Sequence, residues 1–219
     1  YTVHSPAGDP RELGVTLPVN TTVVWVAGHL REYCEAKHGP LTVPGVVIEG
    51  CPIDPESVRC ERGDRVTLVN LGRRKGGELF WRLVEAMPGV KFLGVRCWGN
   101  QIVPDPIPEN AAVLPPVNDP RIFYRQTRVV LLPSAEPGEI ADDLLPAWGE
   151  AWNRVGVEAA VSGIPAIAHP AQGICASLKG YATYVYRDDF DGWVREIRRH
   201  MDPDYYREKS MLAMVRAER

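Results

Sequence analysis

From Arg65 onward the chain alternates apolar, β-branched runs with amphipathic stretches, and this alternation restricts the possible fold more than any single motif. "RVTLVNL" (65–71), "VKFLGVRCW" (90–98), "RVVLLPS" (128–134), "PAIAH" (165–169) and "YATYVYR" (181–187) read as strands. "ELFWRLVEAMPG" (78–89), "RVGVEAAVS" (154–162), "DDFDGWVREIRRHM" (188–201) and "DYYREKSMLAMVRAE" (204–218) read as helices. "AAVLPPV" (111–117) leads to a short helix near "PRIFYRQT" (120–127). Such alternation predicts βαβ units, hence an α/β fold: a Rossmann-like parallel sheet with helices on both faces. In such sheets a ligand sits outside the carboxyl ends of the strands. The loop "GRRKGG" (72–77) and Ser134 both fall at strand ends of that kind.

Upstream, residues 1–20 read as an irregular arm. "TTVVWVA" (21–27) reads as a buried strand, "HLREYCEAKHG" (29–39) as a helix ending at Gly39, and "VPGVVIEGCPIDPE" (43–56) as a strand and a proline-rich connection. The 219 residues suffice for one large domain, and 45% hydrophobic with 24% charged residues is an ordinary globular profile. A net charge of −3 argues against a polyanionic partner, so no nucleic acid is expected. Cys34, Cys51, Cys60, Cys97 and Cys175 are odd in number, scattered, and contain no CxxC pair. They read as neither a zinc site nor a disulfide framework, which implies a reducing compartment and a cytoplasmic location. No apolar run approaches the ~20 residues of a membrane span, and no signal pattern stands at the start, so no transmembrane segment is expected.

"EAWNRVGVEAAVSGIPAIAH" (150–169) places two carboxylates, Glu150 and Glu158, eight positions apart. With Asn153 as N-cap and Gly163 closing the helix, Glu158 lies within it and Glu150 in the loop before it. Eight helical residues span ~12 Å. That is wider than the roughly 5–9.5 Å of a carboxylate pair acting across one glycosidic bond, and it suits the two ends of an extended ligand better.

The segment resembles the signature of retaining glycosyltransferases of the GT-B fold, particularly family four: a Glu-x7-Glu pair, a small-residue helix, a Gly-x-Pro corner (Gly163, Pro165) and an apolar strand. "VTLVNLGRRKGGELFWRLVEAMPGVKFLGV" is similar to that family's first strand, phosphate-binding loop, helix and second strand. "VLPPVNDPRIFYRQTRVVLLPS" is similar to the segment that ends in its Pro-Ser. "YVYRDDFDGWVREI" is similar to its closing helix. The resemblance spans residues 60–219.

It implies a nucleotide-sugar donor as substrate. Glu158 would take the two ribose hydroxyls, while Glu150 would hold sugar hydroxyls and steady positive charge at the anomeric carbon. Lys75 and Arg73 would neutralise the diphosphate, aided by the backbone around Gly76 and Gly77 and by the helix amides of Asn153, Arg154 and Val155. Val117, with Asn118 and Asp119, would lie beside the base. No cofactor and no metal are implied. The DxD-like pairs Asp189/Asp191 and Asp202/Asp204 stand at helix starts and read as caps. His169 and Trp152 read as structural.

Three features depart from the family pattern: a long segment between Ser134 and Glu150, a compressed "GRRKG" that bears on Arg73, and Ala176 where relatives carry a glutamate. Residues 1–57 read as the tail of an N-terminal acceptor domain plus linker, and 58–219 as the nucleotide-sugar domain. That division implies a donor-binding half whose N-terminal partner domain lies outside the chain and whose acceptor is unknown. Two alternatives stay open: a non-catalytic nucleotide-sugar-binding module, and a related GT-B epimerase or phosphorylase.

Overall fold

The computed structural model describes residues 20–48, 50, 52–97, 99–136, 138–139 and 150–217. The expected N-terminal arm, Cys51 and most of the segment between Ser134 and Glu150 lie outside them. Among the described residues two sheets form, both wholly parallel.

The small sheet pairs β1 (Val23–Trp25) with β2 (Gly45–Val47) across α1 (Gly28–His38). Val23, Trp25, Leu30 and Cys34 form its core, and Ala151 and Trp152 pack against it from the second half of the chain. A two-stranded sheet buries too little to stand alone, so this contact ties it to the larger body. A short α2 (Pro55–Val58), capped by Asp54, leads into that body.

The large sheet contains β3 (Arg65–Val69), β4 (Phe92–Val95), β5 (Ala111–Leu114), β6 (Thr127–Leu132), β7 (Ala166–Ala168) and β8 (Thr183–Tyr184). Their spatial order is β5-β4-β3-β6-β7-β8. In sequence terms this is the doubly wound order 3-2-1-4-5-6 of Rossmann sheets. The sheet expected from the strand–helix alternation is therefore the one that forms.

The period of two along β6 divides its core. Val129 and Leu131 join Phe80 and Leu83 of α3 (Gly77–Ala86) and Trp193 and Ile197 of α7 (Phe190–Met201) on one face. Val130 and Leu132 join Tyr124 of α4 (Arg121–Tyr124), Ala159 and Ala160 of α5 (Arg154–Val161), and Ile174 and Leu178 of α6 (Gln172–Leu178) on the other. The closing helix α8 (Pro203–Ala217) packs on α5 and α7. Helix α6 covers a stretch between two strands to which the sequence pattern assigned no element. Its seven residues contain Gly173 and Ser177, so propensity is weak, and burial of Ile174 and Leu178 on the sheet sets its conformation.

Candidate functional site

Strands β3 and β6 are neighbours, but the chain leaves them in opposite directions, to β4 on one side and β7 on the other. The crevice at such a switch point is where open α/β sheets hold ligands. Two loops line it: Asn70–Gly76 after β3 and Pro133–Ser134 after β6.

The first loop is held from both sides. Asn70 adopts a left-handed φ of 72°, which a short amide side chain tolerates. Its Oδ1 accepts from the Gly72 amide (3.0 Å) and from Gln101 Nε2 (2.9 Å), while Gln101 Oε1 accepts from the Leu71 amide (2.7 Å). Arg73–Lys75 then form a single 3-10 turn closed by Gly76 at φ 92°. A Cβ at Gly76 would overlap the Pro133 ring, so glycine is required where the two loops touch. On the far side, the Arg187 guanidinium donates to the carbonyls of Arg73 (2.7 Å), Arg74 (3.3 Å) and Pro133. Burial pushes the pKa of Arg187 down, against the nearby Glu139 and Glu78.

Lys75 turns inward. Its ammonium donates to Ser134 Oγ (3.3 Å) and forms an ion pair with Glu150 Oε2. The backbone of Glu150 is fixed by residues distant in sequence. The His29 ring, at the start of α1, donates to the Glu150 carbonyl. A Cβ at Gly173, in the first turn of α6, would overlap that same carbonyl. Burial lowers the His29 pKa below 6.5 despite this bond and the nearby Glu136 and Glu32, and its Nε2 is buried without a partner.

Glu158 anchors a second cluster on α5. One carboxylate oxygen accepts from the Tyr124 hydroxyl (3.0 Å), which also reaches the Val155 carbonyl (3.1 Å), and the other meets Arg154 Nε (2.5 Å). Tyr124 is wholly buried, and burial together with the Glu158 charge pushes its pKa far up, so it stays a donor. Asn153 caps the helix by accepting from Gly156 N (2.8 Å), as its position in the sequence indicated.

Not every expected site residue joins these clusters. Arg73 points out to Glu78 (2.9 Å), and both side chains are at least half exposed. The Gly76 and Gly77 amides donate to the Arg73 and Gly72 carbonyls, so those two N–H groups are used inside the turn and are not free for a ligand. The Asn153 amide is likewise taken by Ser177 Oγ (3.3 Å). The sequence could not reveal these donors' fates, because the acceptors arise only from the local loop closure and from α6. Val117 packs at the margin of the core cluster that contains Tyr124, and Asn118 is exposed. Asp119 is held by Arg121 (2.9 Å), whose guanidinium lowers its pKa.

The DxD-like pairs are caps: Asp189 accepts from Gly192 N (2.9 Å), and Asp202 accepts from Asp204 N (3.1 Å) and Tyr205 N (2.9 Å). His169 is built into the frame, accepting from Arg187 N at Nδ1 (3.1 Å) and meeting Glu139 at Nε2 (3.0 Å). Among the described residues, no group of three metal-type ligands forms and no helix is long and apolar enough to cross a membrane.

Tyr124, Gln101, Arg187 and His29 were not singled out from sequence. The only trace of Tyr124 was its place in a short apolar helix, and the other three lie in loops or at an element start, where no periodicity marks them.

No family model and no curated protein matches the chain. Solved structures do. HepE from Anabaena, solved with UDP-glucose, superposes with a TM-score of 0.71 at 14% identity, covering 99% of this chain and 66% of HepE. Sucrose-phosphate synthase from Thermosynechococcus elongatus gives 0.68 at 15%, covering 99% and 62%. The pneumococcal O-GlcNAc transferase GtfA, solved with UDP and GlcNAc, gives 0.62 at 12%, covering 90% and 41%. The chain thus spans about two-fifths to two-thirds of the length of these proteins. Its fold is that of the C-terminal domain of GT-B glycosyltransferases.

Proposed function

We propose that this chain is the donor-binding half of a retaining, metal-independent glycosyltransferase that takes its sugar from a nucleoside diphosphate sugar. The observation that carries the reading is the meeting of Lys75, Ser134 and Glu150 at the switch point, with the buried Glu158 one helix turn inside the adjoining α5.

Each group has a task in this reading. Glu158, oriented by Tyr124, keeps lone pairs for the ribose hydroxyls, and the exposed Arg154 side chain swings aside when they arrive. Lys75 exchanges its bond to Glu150 for the diphosphate, whose charge grows as the sugar–phosphate bond breaks. Glu150, released from Lys75, accepts from sugar hydroxyls and steadies the developing cation. Before the donor binds, the Lys75–Glu150 pair lets neither charge stand alone in a partly buried site. Arg73 acts at most at long range from its place on Glu78, and Val117 and Asn118 border the base. The acceptor side of the cleft comes from a domain on the face of the small β1–β2 sheet, so the chain alone binds donor and transfers sugar poorly.

The test is calorimetric titration with UDP, GDP and their sugar conjugates, with and without EDTA, beside Glu158→Ala. One nucleotide binds, EDTA leaves the affinity unchanged, and the variant binds more weakly by about 1–3 kcal/mol. Failure of every nucleotide to bind, or an unchanged Glu158→Ala affinity, overturns the assignment.

A further inference from the structure

The pole of the large sheet opposite the switch point carries a cavity of about 400 Å³ between the amino end of β6 and helix α8. That volume falls within the range of small-molecule pockets, roughly 300–1,000 Å³. The cavity is remote from the cleft: Arg128 lines it at the start of β6, whereas Ser134 follows the other end of the strand, about 20 Å along at ~3.3 Å per residue.

Its lining joins two chemistries. Met201, Met211 and Met214 supply a flexible, polarizable apolar wall of the kind used for adaptable ligand contact. Arg62 and Arg128 supply charge, and both flank the Tyr206 ring, with Arg128 4.0 Å and Arg62 5.9 Å from its centroid. Neither arginine meets a carboxylate among the described residues. Arg62 donates to Ser210 Oγ and the Gly163 carbonyl, and Arg128 to the carbonyls of His200 (2.8 Å) and Met201 (3.4 Å). Carbonyls and hydroxyls position a guanidinium without neutralising it. The Tyr206 hydroxyl beside them is buried, with Arg62 and Arg128 as its charged neighbours. A third lining arginine, Arg207, is paired with Asp204 (3.1 Å), and elsewhere on the surface Arg31, Arg73, Arg121, Arg154 and Arg199 each have a carboxylate.

We propose that this cavity is a second ligand site, binding a small organic anion whose charged head pairs with Arg62 and Arg128 and whose apolar body lies on the three methionines. Two guanidinium groups held by fixed acceptors form a preorganised seat for a phosphate or carboxylate. The apolar wall selects against inorganic anions, and the charge selects against neutral apolar molecules. A second copy of the chain would have to bring a carboxylate and an apolar side chain to the same point, which makes dimerisation the competing outcome.

The chain contains four methionines, and the fourth, Met87, is buried in the core and does not line the cavity, so it serves as an internal reference. With methyl-13C methionine, titration with hexyl phosphate shifts the Met201, Met211 and Met214 resonances saturably and leaves Met87 fixed. Hexanol and inorganic phosphate each bind at least tenfold more weakly, and UDP moves none of the three. Arg62→Gln with Arg128→Gln weakens hexyl phosphate binding at least tenfold.

Because Arg128 also ties β6 to the end of α7, Met211→Glu provides a second variant. Its side chain is 57% exposed, so the fold tolerates it, while the new carboxylate competes for the arginines and weakens binding to the same extent. Several outcomes overturn the proposal: no saturable shift, equal shifts at Met87, affinity unaffected by the variants, or a concentration-dependent dimer that broadens the three methyl signals without ligand.

Discussion

Removing one oxygen atom from the core, Tyr124→Phe, probes how Glu158 is held. Phenylalanine refills the same space, so the packing of the ring at position 124 against Phe123 and α5 is kept and no cavity term arises. What is lost is the hydroxyl whose single proton is shared between Glu158 (3.0 Å) and the Val155 carbonyl (3.1 Å), in a place closed to water. A hydrogen bond to a charged acceptor contributes about 1.5–3 kcal/mol, so the variant loses about 2 kcal/mol of stability. For a chain of this size each kcal/mol moves Tm by about 2–4 °C, which places the fall at about 4–8 °C.

Arg154→Ala removes the other partner of the same carboxylate, yet that side chain is 63% exposed and its ion pair is screened. Its loss costs under about 1 kcal/mol. Urea unfolding of both variants at pH 7 gives the comparison, and a cycle with Glu158→Gln isolates the coupling. A Tyr124→Phe variant within about 0.5 kcal/mol of the parent, or an Arg154→Ala variant that suffers more, refutes the idea that the tyrosine holds Glu158.

Gly173→Ala forces the Glu150 carbonyl away from α6 and lowers stability by about 2 kcal/mol or more; thermal unfolding checks this, with Gly180→Ala, where a Cβ meets nothing but the φ is positive, as a control for backbone strain alone. Arg187→Met strips three carbonyls of their shared donor and lowers stability by about 2–3 kcal/mol. Arg187→Lys recovers only part, because an ammonium cannot span the fork. Burial depresses the pKa of both His29 and His200, so each is held neutral when folded but gains a proton below 6.5 when unfolded. Their contribution is complete above pH 6.5 and declines as pH falls below it, by at most about 1.4 kcal/mol per pH unit for each histidine. Denaturant midpoints at pH 7.5, 6.5 and 5.5 should therefore drop on acidification, and His200→Gln should flatten that drop; a pH-independent midpoint contradicts it.

Local pattern determined the scaffold. Apolar runs such as "RVVLL", alternating with helices, suit a parallel sheet covered on both faces, and helix periodicity with a capping Asn153 or Asp189 marks its own start. For this reason the sheet, its flanking helices other than α6, and the placement of Lys75, Ser134 and Glu158 near strand and helix ends were legible in order along the chain. Tertiary structure decided which groups meet. Lys75 joins Glu150 across 75 residues, Tyr124 joins Glu158 across 34, and Arg187 reaches back 114 to the turn it clamps. Arg73 and Lys75 look equivalent in "GRRKGG", yet one turn of 3-10 helix sends the first outward to Glu78 and the second into the crevice. A hydrogen-bond partner far along the chain leaves no periodic mark on either residue, so sequence determined where such groups could lie and the folded sheet alone determined what each one touches.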